Sequence, residues 1–86
     1  MTFQGAVVKE QGVTFGIIVV KSCVLNNSSD RESMIRLGIR AFGQMPIILM
    51  AQDSKGTPTY YGRKDIVNFL SNIFMEQIPW RKYTIN

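Results

Sequence analysis

Residues 46–70, PIILMAQDSKGTPTYYGRKDIVNFL, decide the fold. Pro46 has no backbone N–H and suits the first residue of a strand. Ile47 to Met50 form an apolar run without alternation, the pattern of a central strand covered on both faces. Asp53, Ser54, Lys55 and Gly56 are turn formers, and Thr57 to Tyr61 favours a second strand, with Pro58 marking its start or an edge. So short a connection predicts an antiparallel hairpin. After Gly62, the spacing of Ile66, Leu70 and Ile73 predicts a helix over 63–73, with Asp65 in its first turn, where it complements the helix dipole.

Upstream, Phe3–Lys9 and Val13–Lys21 read as two strands joined by a turn at Glu10-Gln11-Gly12. Val13, Phe15, Ile17 and Val19 share one face of the second strand. Ile18 and Val20 make the other face apolar too, again marking a central strand, with Gly16 as a site of bulging or close approach. A connector at 22–27 leads to a helix that ends near Phe42. Ser29 with Glu32 fits a capping box, Gly38 offers close packing on the sheet, and Gly43 is a natural C-terminal cap. Residues 78–85 alternate weakly and suit a final edge strand or an ordered tail.

The expected architecture is one small α/β (α+β) domain over residues 1–86, with ββαββα order and a possible further C-terminal edge strand. It would be a two-layer sandwich in which two helices pack on one face of a mixed sheet of about four strands. Strand order is not specified by these patterns.

Composition narrows function by exclusion. The chain has 86 residues, no histidine and one cysteine, Cys23. The commonest general base and metal ligand is missing, and an intrachain disulfide has no second thiol. No cofactor or metal is expected. Val13–Val20, the most apolar segment, is too short to span a bilayer, and no secretory signal opens the chain, so a cytoplasmic location is expected without membrane association. Net charge is +4, and residues 54–86 hold five basic side chains against two acidic ones.

Three functional readings follow. The first is a non-enzymatic protein-interaction module, self-associating or binding a protein partner. Its ground is a charged fraction of only 19% together with Pro58, Tyr60, Trp80, Tyr83 and Ile85 as candidate interface residues. The second is a nucleic-acid-binding module, with Arg63, Lys64, Arg81 and Lys82 meeting phosphates while Tyr61 and Trp80 stack on bases. The third uses Cys23 as a reactive thiol ahead of a helix. There the order helix, Pro46, strand, strand, glycine, helix resembles the second half of the thioredoxin-like fold. Asn26 stands where the second cysteine of C-x-x-C would lie, so that resemblance rests on topology alone. Asp53, Ser54 and Lys55 are fully accounted for as a turn, and catalysis is not expected.

Overall fold

A computed structural model describes residues 1–10 and 12–85. The alternating apolar runs become strands β1 (Thr2–Glu10) and β2 (Val13–Val19), antiparallel in the register Ala6 opposite Ile17 and Val8 opposite Phe15. Of the turn between them, Gln11 lies outside the described residues. After β2 the chain makes a four-residue helix, α1 (Ser22–Leu25), within the segment expected to be a plain connector. Helix α2 (Ser28–Phe42) follows.

The cap of α2 differs from the expected Ser29–Glu32 box. Asn27 is the N-cap, and its Oδ1 accepts a hydrogen bond from the Asp30 N–H at 3.1 Å. An asparagine side chain caps as well as a serine, so α2 starts one residue before Ser29. At the other end the Gly43 N–H donates to the Ile39 carbonyl, closing the helix as the sequence predicts.

Strand β3 (Ile47–Gln52) lies parallel to β2, and β4 (Pro58–Tyr61) returns antiparallel to β3. Helix α3 (Lys64–Ser71) stops two residues short of the predicted end, at Asn72. A 3₁₀ turn at Met75–Gln77 leads to β5 (Arg81–Thr84), which pairs antiparallel with β1. The sheet is mixed and five-stranded, ordered β4-β3-β2-β1-β5. β2 is therefore central and β3 internal, as their unbroken apolar runs require, and the C-terminal strand is present.

The α/β class and the order of strands and main helices are as the sequence predicts, and on either side the packing is helix upon sheet. The helices do not share a face, however. Ile66 and Leu70 of α3 bury against Ala6, Phe15, Ile17, Ile48 and Met50. Met34, Ile35, Leu37 and Phe42, all on α2, pack with Phe3, Ile18, Ile47 and Leu49 on the opposite side. Successive side chains of a strand point to opposite faces. Ile47–Met50 therefore feed both clusters in turn, and each cluster needs its own cover.

Gly38 shows how close that cover comes. A Cβ there would stand 2.8 Å from Ile47 Cγ2 and 2.9 Å from Ile18 Cδ1, so α2 rests on the sheet with no room for a side chain. The Phe42 ring occupies the space over Gly16, where the sequence predicts a bulge or close approach.

Candidate functional site

Most of the expected site residues fall on or beside the two outer strands, whose backbone pairing sets what each edge offers. In an antiparallel ladder, residues alternate between those bonding to the neighbour strand and those whose N–H and C=O face away. The Asp53 N–H donates to the Thr57 carbonyl at 3.0 Å, which fixes the phase of the β3–β4 pair. Thr59 and Tyr61 thus bond inward, while Pro58 and Tyr60 direct their backbone outward. Pro58 has no N–H, so this edge lacks a donor where pairing would begin.

Side chains on β4 divide between the two faces. The Tyr61 ring, 41% exposed, lies beneath the Arg31 guanidinium at 4.7 Å, a cation–π contact. Arg31 is fixed by donating from Nη1 to the Leu25 carbonyl at 2.7 Å. Tyr60 packs on the opposite face against the α3 cluster. Its hydroxyl is buried without a hydrogen-bond partner among the described residues, and burial pushes the phenol above its ordinary 10.0. The hairpin turn is tied by Asp53, whose Oδ1 accepts from the N–H groups of Lys55 and Thr57, each at 2.9 Å. Asp53 thus serves the turn itself, as its sequence context predicts.

Arg63 and Lys64 open α3. Arg63 Nε and Nη2 donate to the two carboxylate oxygens of Asp65, each at 2.8 Å. That bond lowers the Asp65 pKa below its ordinary 3.8 and raises that of Arg63. The guanidinium fork is thereby already engaged. At the other end of α3, a cleft of about 640 Å³ opens between the hairpin turn and the residues from Leu70 onward. Pro58, Tyr60, Leu70 and Ile73 line it, with Lys55 and Glu76 among its charged residues. Phe74, also lining this cleft, is 76% exposed.

At the other edge, the Ile85 N–H donates to the Met1 carbonyl at 2.8 Å, which sets the phase of β1–β5. Arg81 and Tyr83 bond inward, leaving the backbone N–H and C=O of Lys82 and Thr84 facing out. Tyr83 stacks on Phe3 with centroids 5.5 Å apart and meets Phe42 edge-on at 4.9 Å. The Trp80 indole N–H donates to the Met75 carbonyl at 3.0 Å and packs on the α3 side. Ile85 joins the α2 side.

These placements separate the residues considered for nucleic acid. With β3, β2 and β1 between the two edges, Tyr61 stands roughly 19 Å across the sheet from Arg81 and Lys82, at about 4.8 Å per strand, while Arg63 and Lys64 lie off the sheet at the start of α3. Trp80 and Tyr83 pack on opposite faces, so they form no common stacking platform. The interface candidates divide in the same way, into Pro58 and Tyr60 at one edge and Trp80, Tyr83 and Ile85 at the other. Cys23 is the second residue of α1 and is exposed. Among the described residues, no three His, Cys, Asp or Glu side chains gather where they could hold a metal. In the same residues no helix is long and apolar enough to cross a membrane.

Two features escape the sequence reading. Phe74 would continue the apolar stripe of α3 at one turn beyond Leu70, and only the stop at Asn72 swings it outward. The Arg31–Tyr61 contact joins residues thirty positions apart, beyond any local pattern.

No family profile matches the chain, and neither a curated protein nor a solved structure shows significant similarity to it.

Proposed function

We propose that this chain is a non-enzymatic protein-interaction module that self-associates by adding a strand at an open edge of its sheet. The observation that carries the reading is the outer edge of β5, where the backbone groups of Lys82 and Thr84 face away from β1 and no described segment pairs with them. Exposed strand edges recruit further strands because main-chain hydrogen bonds supply affinity without a specialised site. The low charged fraction, 19%, favours association over mutual repulsion. A cytoplasmic setting belongs to this reading and is supported by a lone, exposed cysteine with no partner for a disulfide.

The test is sedimentation of the full chain over a wide concentration range. Self-association predicts a weight-average mass that climbs from monomer toward dimer. A constant monomer mass up to millimolar protein would refute it.

A further inference from the structure

We infer that two copies join through β5 in an antiparallel pair about a two-fold axis at Tyr83, with Lys82 of one protomer opposite the partner's Thr84. This inference rests on the self-association proposed above and specifies its surface and register.

The outward-facing residues dictate the register. A symmetric antiparallel pair forms closed hydrogen-bonded couples only when outward residues stand opposite outward residues. On β5 these are Lys82 and Thr84. Centring the axis on Tyr83 sets each Lys82 against a Thr84, so both couples exchange both of their N–H···O bonds. Moving the axis to Lys82 would place two ammonium groups directly opposite each other, which is destabilising. Moving it to Thr84 would run Lys82 past Ile85 and beyond the described strand. Only the Tyr83-centred register uses every outward group of β5 while keeping like charges apart.

Side chains agree with this register. Tyr83 would meet the partner's Tyr83 in the closer, non-hydrogen-bonded type of pair. Each ring is already stacked on Phe3 and edge-on to Phe42, so both arrive held in place. On the same face Arg81 would stand opposite the partner's Ile85, again without charge conflict. The alternative edge is poorer. A symmetric pair of β4 strands would set Pro58 opposite Tyr60, and the missing proline N–H would delete half of the corresponding bonds.

The test combines a donor deletion with a register readout. Thr84→Pro removes an N–H that points away from β1, so the intrachain ladder keeps its bonds. The expected result is at least a tenfold rise in the dimer dissociation constant with an unchanged circular dichroism spectrum. For the register, Cys23→Ser chains carrying Lys82→Cys are mixed with Cys23→Ser chains carrying Thr84→Cys and oxidised. The mixture should yield a disulfide-linked dimer far more readily than either chain alone. A dimer insensitive to Thr84→Pro, with no preference for the mixed cross-link, would overturn the β5 interface and leave self-association standing. Cross-linking by Lys82→Cys alone at the mixed rate would overturn the register. A wild-type chain that stays monomeric throughout would overturn both this inference and the function on which it rests.

Discussion

The two outer strands of this sheet have the same length and opposite characters. β4 is guarded: Pro58 removes a donor, Arg31 covers the outer face of Tyr61, and the hairpin turn is tied by Asp53. β5 is anchored on its inner side by the Phe3–Phe42–Tyr83 cluster but unguarded along its outer backbone. Natural sheets blunt the edges they must keep apart with proline, charge and bulges. Here proline protects one edge, while the other keeps its donors and carries Arg81 and Lys82 as its charged residues. Edge chemistry is thus set by which backbone groups face outward as well as by side-chain composition.

The largest loss of stability is expected at Gly62, the exit from β4. Its φ is 153°, and a Cβ there would stand 2.5 Å from Ile48 Cδ1. Replacing it with valine adds backbone strain to a clash with a fully buried side chain. Gly62→Val is expected to cost about 3 kcal/mol, measured by urea denaturation. The opposite edge should yield less. Tyr83→Ala deletes a half-buried ring with two aromatic neighbours and is expected to cost about 2 kcal/mol. Amide hydrogen exchange should show that loss concentrated on the β1–β5 ladder, with β3–β4 protection nearly intact.

A third change sharpens the contrast by improving the guarded edge. Tyr60→Phe removes a buried hydroxyl that has no partner among the described residues and should stabilise the fold by about 1 kcal/mol in thermal unfolding. Its pH signature has a definite sign. The folded-state pKa of Tyr60 is raised, so the native chain holds this proton more tightly than the unfolded chain. The resulting stability is complete below about pH 10 and is lost as pH rises through the folded-state value. Stability of Tyr60→Phe should therefore fall less steeply above pH 10 than that of wild type.

The smallest effect lies beside β4, in the solvent-exposed pair of Arg63 and Asp65. The depressed pKa of Asp65 gives stability that is present above about pH 4 and disappears as pH falls through its folded-state value. Carboxyl NMR titration should place the Asp65 midpoint below 3.8, and Arg63→Gln should return it toward that value. An Asp65 midpoint unchanged in Arg63→Gln would remove Arg63 as the cause.

Much of this fold is local in origin and therefore legible. The hairpins follow from turn residues between apolar runs, and α3 follows from the Ile66–Leu70–Ile73 spacing. Sequence patterns suggest one shared face for the two helices, whereas the strands themselves demand one helix on each. Ile47–Met50 and Phe15–Val20 are apolar on both sides, so a central strand needed cover above and below. Two helices on one face could not supply it. Strand order and the separation of Tyr61 from Trp80 were not legible, because sequence proximity between residues 61–64 and 80–83 says nothing of the three strands that part them. The open edge was half legible: alternation in β5 could be seen, but its hydrogen-bonding phase depends on pairing with β1.

That pairing also orders events in time. The β1–β5 ladder includes Met1 and Ile85, eighty-four positions apart in the chain, whereas β1–β2 closes through a short turn. Distant pairing bears the larger loop-closure entropy and is the slower step. Until β5 docks, the outer side of β1 presents unpaired N–H and C=O groups of its own. Docking of β5 therefore covers one open edge, that of β1, and sets the outward groups of Lys82 and Thr84 in its place.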